Sequence, residues 1–158
     1  MLSLNKNSRG VHEALLARNL TIATAESLTA GMVASTLADN SGSSKYLLGG
    51  VVAYTLDVKA DVLGVNKDMA RACNCVSAEV ASEMANGVVC LLNSNIGVAT
   101  TGYAETDDPD GPYAYIAVAF HGSTTQQKVN GPGLNRNQMR QKVVDAALEL
   151  VLLCLAAD

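Results

Sequence analysis

The chain has 158 residues, 49% of them hydrophobic, which suits one domain with a core of its own and no need for disulfide or metal staples. A formal net charge of -4 argues against broad electrostatic capture of nucleic acid, and one Phe, five Tyr and no Trp leave few surfaces on which bases could stack. No apolar run reaches the roughly 18 residues of a membrane span, and residues 1–9 lack the apolar stretch of a secretory signal, so a cytoplasmic protein is expected.

Val11, Leu15 and Leu16 recur at helical spacing before Asn19, and residues 20–25 then switch to short, β-branched character, so the chain opens helix then strand. Ser27 and Thr29 are suited to cap a helix over 31–38, which leaves Glu26 at the strand-to-helix turn. Residues 39–44 read as a polar loop, residues 50–55 as a second strand, and a short helix then carries Lys59. Another short helix is expected after Lys67. Ser77 caps a long one whose stripe of Val80, Ala81, Met84, Val88 and Leu91 faces the core.

Residues 96–100 form a third strand, which runs into Thr101-Gly102 and a turn-rich acidic segment ending at Pro112. Strands over 113–121 and 124–130 make a hairpin around Gly122-Ser123, and the last helix starts near Asn135. Strands and helices in this order predict α/β architecture: a single domain over residues 1–158, built as a three-layer α/β/α sandwich with a mixed central sheet.

Cys73, Cys75, Cys90 and Cys154, with the distant His12 and His121, make no zinc set; free thiols are expected, Cys90 and Cys154 reading as small core residues and Cys73-x-Cys75 as the one pair suited to redox chemistry. Nothing in the sequence requires a metal or an organic cofactor. More informative are Ser44, Tyr54 and Lys59, spread around the apolar run 49–53. A hydroxyl, a phenol and an amine form a nucleophile kit without histidine: a lysine whose pKa is lowered by desolvation can take the serine proton, and a tyrosine can relay it.

Several blocks strengthen that reading: Thr24-Ala25-Glu26-Ser27-Leu28-Thr29-Ala30-Gly31, Gly42-Ser43-Ser44, Gly49-Gly50-Val51-Val52-Ala53-Tyr54 with Lys59, Val76-Ser77-Ala78-Glu79, Ala99-Thr100-Thr101-Gly102, and Arg136 with Arg140. In this order they resemble the C-terminal domain of the CinA family and its stand-alone nicotinamide-nucleotide amidases. The resemblance implies an α/β sandwich without the separate N-terminal domain of full-length CinA. It also implies hydrolysis of the carboxamide of nicotinamide mononucleotide, a small-molecule nucleotide substrate, to nicotinate mononucleotide and ammonia by a Ser-Tyr-Lys site, and a homo-oligomer.

By position the resemblance carries the catalytic roles onto Ser44, Tyr54 and Lys59, with either Tyr54 or Lys59 as the immediate base. Oxyanion donors are expected near Ser44 or at Gly49-Gly50, Thr101-Gly102 at the substrate, and Arg136 at the nucleotide phosphate. Arg140 adds charge there or caps a solvated face. Glu26 positions a ribose hydroxyl or backbone amides, or is a structural carboxylate.

Two departures stand out. Leu28 and Ala30 replace a Cys and a Gly of the family pattern, and residues 103–111 replace its glycine-rich stretch with Glu105, Asp107, Asp108 and Asp110. These acids do not form a calcium loop, because aligning Gly111 with the loop glycine puts Ala117 where a bidentate Glu is needed. The altered loop admits two alternatives to the amidase: a noncatalytic nucleotide- or partner-binding relative, and a serine amidohydrolase acting on a different amide.

Overall fold

The computed structural model describes residues 5–158; the reading of residues 1–9 as lacking a secretory signal therefore lies partly outside the described residues. The chain runs α1 (Lys6–Arg18), β1 (Ile22–Glu26), α2 (Met32–Ala38), a 3-10 turn (Ser43–Lys45), β2 (Leu47–Val52), α3 (Leu56–Leu63), α4 (Lys67–Ala72), α5 (Ala78–Leu92), β3 (Ile96–Gly102), β4 (Tyr113–Phe120), β5 (Ser123–Asn130) and α6 (Arg136–Ala156). The strands form one five-stranded sheet in the order β2-β1-β3-β4-β5. β2, β1 and β3 are parallel, while β4 and β5 are antiparallel, so the sheet is mixed. Helices cover both faces, giving the three-layer α/β/α sandwich.

Alternation along the strands divides the core into two unlike layers. Ile22, Ile96, Val98, Ile116 and Val118 point to one face and pack with Val11, Leu15, Val143, Val144 and Leu148 of α1 and α6. Ala23, Ala25, Ala99, Ala117 and Ala119 point to the other, beneath Val80, Ala81, Met84, Ala85 and Val88 of α5. Small strand residues let α5 sit close: a Cβ on Gly97 would lie 2.2 Å from the Ala85 carbonyl oxygen. The bulky face needs no such approach, because branched side chains fill the gap to α6.

Local signals place several boundaries well. Ser77 caps α5 by accepting from the Val80 N–H at 3.1 Å. Asn135 and Gln138 exchange side-chain and backbone hydrogen bonds, both at 3.0 Å, in a capping box that opens α6. The β4–β5 hairpin turns at His121-Gly122, one residue before the expected centre.

Other expectations are corrected. β2 begins at Leu47, three residues before the expected Gly50, and ends at Val52. Gly49-Gly50 is not a turn but lies inside this strand, where a Cβ on Gly50 would strike the Thr24 Oγ1 at 2.1 Å. Leu91 is 48% exposed and Cys90 is exposed, because the buried stripe of α5 follows Ala81, Met84, Ala85 and Val88 and turns both residues outward. Neither Ser27 nor Thr29 caps α2. The Glu26 carboxylate does so, accepting from the N–H groups of Gly31 and Val33 at 3.0 Å and Ala34 at 2.9 Å. No helix among the described residues is long and apolar enough to cross a membrane.

Candidate active site

In a parallel sheet, the loops that leave the carboxyl ends of neighbouring strands diverge and open a crevice. Ser27 follows β1, Tyr54 follows β2, and Thr101-Gly102 ends β3. The pairing of Glu26 with both Val52 and Thr100 brings these three ends level. They line a cavity of about 220 Å³ together with Leu28, Lys59, Cys75, Tyr103, Glu105 and Arg136.

Lys59 is the unusual member. It lies in α3, whose start is fixed by Thr55 accepting from the Val58 N–H at 3.3 Å, and only 1% of it is exposed. Its Nζ is 3.0 Å from the Ser27 Oγ and donates to the carbonyl oxygens of Ala53 at 2.7 Å and Tyr54 at 3.3 Å. No carboxylate pairs with it among the described residues. Burial pushes the Lys59 ammonium below the ordinary lysine range, against a smaller opposing effect of Cys75. Deprotonated, the amine retains two N–H groups for the two carbonyls and a lone pair for the Ser27 hydroxyl proton.

Arg140 fixes the segment that carries Ser27. From the second turn of α6 its Nε donates to the Leu28 carbonyl at 2.8 Å and its Nη2 to the Thr29 carbonyl at 3.3 Å. The Ser27 N–H is bonded to the Thr100 carbonyl at 3.0 Å, and the Thr29 and Thr100 hydroxyls meet at 2.7 Å. On the far wall the Thr101 hydroxyl donates to the Cys75 carbonyl at 2.6 Å, and the Asn74 side chain donates to the Tyr103 hydroxyl at 2.9 Å. Asn74 and Cys75 both have left-handed backbones, φ 51° and 63°, a strained pair held against the cavity.

At the mouth, the Tyr54 hydroxyl accepts from Arg136 Nη2 at 3.2 Å, and Arg136 Nη1 donates to Glu105 Oε1 at 2.8 Å. Tyr54 is 54% exposed, so its ring stands between solvent and the cavity.

The structure does not bring Ser44 into this group. Ser44 lies exposed in the 3-10 turn that precedes β2, whereas Tyr54 and Lys59 follow that strand. Six extended residues separate the two ends, about 20 Å at roughly 3.3 Å per residue. Glu26 does not contact the cavity either, since its carboxylate is occupied by the amides of α2. Gly49 and Gly50 lie within β2 and are absent from the cavity wall.

Sequence reasoning missed the roles of Ser27, read as a helix cap, and of Arg140, read as added charge at the phosphate or a cap on a solvated face. A signal for Ser27 was present: it directly follows the first buried strand, at the carboxyl end where sites in parallel sheets collect. Among the described residues, no group of three His, Cys, Asp or Glu side chains converges in a way suited to hold a metal ion.

A family profile described as CinA C-terminal domain matches residues 4–155. The chain is 38% identical over 138 residues to a CinA-like protein of Flavobacterium psychrophilum, covering 87% of the chain and 33% of that protein. It is 39% identical over 145 residues to a CinA-like protein of Mycobacterium tuberculosis, covering 87% and 34% respectively. The chain thus spans about a third of the length of the curated relatives it matches. Among solved structures, a CinA superfamily protein of Klebsiella pneumoniae superposes with a TM-score of 0.91 at 26% identity, covering 99% of this chain and 100% of that one. A competence/damage inducible protein from Agrobacterium tumefaciens gives 0.87 at 27% identity, covering 99% of each chain.

Proposed function

The chain belongs to the CinA C-terminal domain family, and from that premise and the geometry of its crevice we propose that it is a serine amidohydrolase that cleaves a carboxamide, with nicotinamide mononucleotide as the substrate to test first. The observation that carries this reading is the 3.0 Å contact between a buried lysine amine and the Ser27 hydroxyl. It replaces Ser44 by Ser27 as the nucleophile and keeps Lys59 and Tyr54 in the roles expected for them.

In the proposed reaction, neutral Lys59 takes the Ser27 proton as the Ser27 Oγ attacks the carboxamide carbon. The negative charge that develops on the carboxamide oxygen needs a donor. Leu28 lines the cavity, and its N–H, next after the nucleophile, has no acceptor among the described residues. Collapse of the tetrahedral intermediate breaks the C–N bond, and the nitrogen leaves as ammonia after gaining a proton. Lys59 holds the proton taken from Ser27. Tyr54, whose hydroxyl accepts from Arg136, keeps its own O–H free to relay that proton: it gives its own to the departing nitrogen and takes the Lys59 proton in its place, which leaves Lys59 neutral again. Water then attacks the Ser27 ester with Lys59 again as base, releasing the carboxylate and restoring the serine.

Nicotinate mononucleotide and ammonia would be the products, placing the enzyme in pyridine nucleotide salvage. We take the cytoplasm as its compartment, in keeping with four free cysteines, and a homo-oligomer as its working form. Incubating the protein with nicotinamide mononucleotide while following ammonia and nicotinate mononucleotide together tests the reading. Turnover that disappears in a folded Ser27→Ala variant is expected. Turnover that persists in that variant would remove Ser27 from the mechanism, and no ammonia from any of a panel of carboxamides would remove the reaction.

A further inference from the structure

Two cations line the cavity among the described residues, Lys59 and Arg136, and only one of them faces outward. Lys59 is 1% exposed and its amine is engaged by Ser27 and two carbonyls. Arg140 is turned away onto the Leu28 and Thr29 carbonyls. The guanidinium of Arg136, whose side chain is 47% exposed at the mouth, is therefore the group that an anionic part of any ligand would meet first. Its position is set by the helix rather than by the loop, because Arg136 is the first residue of α6, directly after the N-cap Asn135.

That guanidinium is already partly engaged. Nη1 is given to the Glu105 carboxylate at 2.8 Å and Nη2 to the Tyr54 hydroxyl at 3.2 Å. Three N–H groups stay free for a phosphate, but a phosphate held bidentately on this guanidinium lies beside the Glu105 carboxylate and must either bear its repulsion or displace it from Nη1. Glu105 enters the site from the segment between β3 and β4, where Asp107, Asp108 and Asp110 follow it on the exposed side. Its neighbour Ala104 is 5% exposed, which anchors the chain just before the carboxylate. A ligand without a phosphate makes no such demand and leaves the pair intact.

We propose that Glu105 is a specificity-determining residue: an intramolecular carboxylate that competes with a substrate's phosphate for Arg136, disfavouring phosphorylated carboxamides relative to those without a phosphate. This rests on the reading of the crevice as an amide-hydrolysing site. The effect is moderate. The pair is solvent-exposed, 47% and 69% on its two side chains, so its own attraction is weak; the larger part is repulsion between a carboxylate and a dianion a few ångströms apart. Together these amount to about a tenfold penalty on the phosphorylated ligand at low salt, shrinking as ionic strength rises.

The test compares nicotinamide mononucleotide with nicotinamide riboside, which share the carboxamide and differ by the phosphate. KM and kcat for ammonia release and, separately, calorimetric Kd values would be measured for the unaltered protein, Glu105→Gln, Arg136→Gln and the double variant. The expected result is that Glu105→Gln lowers the nucleotide-to-riboside ratio of KM, and of Kd, about tenfold through the nucleotide term. In the Arg136→Gln background the same change does less, because there is no guanidinium left to contest. An unchanged ratio would overturn the proposal, as would equal shifts for both ligands or an undiminished effect without Arg136. Ammonia release with an unchanged ratio would leave the amidase reading standing and remove Glu105. Binding with the expected ratio but no ammonia would do the reverse, and binding of neither ligand would overturn both.

Discussion

The two ends of the parallel ladder formed by β2, β1 and β3 use similar residue types to opposite effect. At the amino end, Ser44 and Lys45 are exposed to solvent, while the Tyr46 hydroxyl is buried and donates to the Leu37 carbonyl at 2.9 Å. Nearby, the Asn95 side chain accepts from both the N–H and the hydroxyl of Thr21, at 2.8 and 2.9 Å. These polar groups are satisfied by the fold or by water. At the carboxyl end, Ser27, Tyr54, Lys59 and Thr101 arrive from different segments and converge on one cavity. Strand direction decides which serine meets a lysine, since the connections leave the strands apart at one end and together at the other.

The largest effects should appear at the carboxyl end. Lys59→Met, which keeps much of the side-chain bulk without the amine, is expected to lower kcat for carboxamide hydrolysis about 10³-fold, as measured by ammonia release. The pH dependence of the unaltered enzyme should agree. The folded-state pKa of Lys59 is lowered by burial, so the neutral amine forms at a lower pH than for an ordinary lysine. The rate should therefore rise with pH and level off below the usual lysine range. Stability follows the same sign: between the folded and unfolded pKa values the unfolded chain holds more protons, so unfolding free energy rises with pH across that window. Urea titrations at several pH values would record the slope. A flat profile would indicate a lysine without a perturbed environment.

Glu26→Ala separates architecture from chemistry. It leaves the amides of Gly31, Val33 and Ala34 without their carboxylate, and a loss of about 3 kcal/mol in unfolding free energy is expected from urea denaturation. Arg140→Gln is expected to be milder. Releasing the Leu28 and Thr29 carbonyls loosens the segment bearing Ser27, with about a tenfold fall in kcat and little change in KM, read from steady-state kinetics. The smallest effect belongs to the amino end: Ser44→Ala should alter turnover by less than about twofold, within the range of an exposed surface substitution. A large loss there would place Ser44 in the reaction.

Most of the fold was legible in the sequence because its signals are local. The helix cap at Ser77, the start of the last helix near Asn135 and the β4–β5 hairpin each depend on residues within a few positions of one another. The start of β2 was not, because Gly49-Gly50 reads as a turn when its real constraint is the Thr24 hydroxyl on the neighbouring strand. The structural reading of Glu26 as a carboxylate for backbone amides is the one the structure bears out, but that these amides open α2 was missed for a related reason. The carboxylate reaches residues five to eight positions ahead across a turn, whereas cap patterns are sought within three.

The candidate site was half legible. Tyr54 and Lys59 lie close together in the chain and in space, but Ser44 is close to them only in the chain, with an extended strand in between. Ser27 is 32 positions from Lys59, and the parallel pairing of β1 with β2 brings them together. A helix-capping preference gave Ser27 a sufficient structural explanation, and nothing local pointed to a buried amine.

The central claim is that Lys59 activates Ser27, and a serine-directed fluorophosphonate probe tests it whatever the substrate. Mass spectrometry of the labelled, folded protein should find the adduct on Ser27, and labelling should disappear in Lys59→Met. An adduct on Ser44, or labelling of Ser27 that survives the loss of Lys59, would contradict the account.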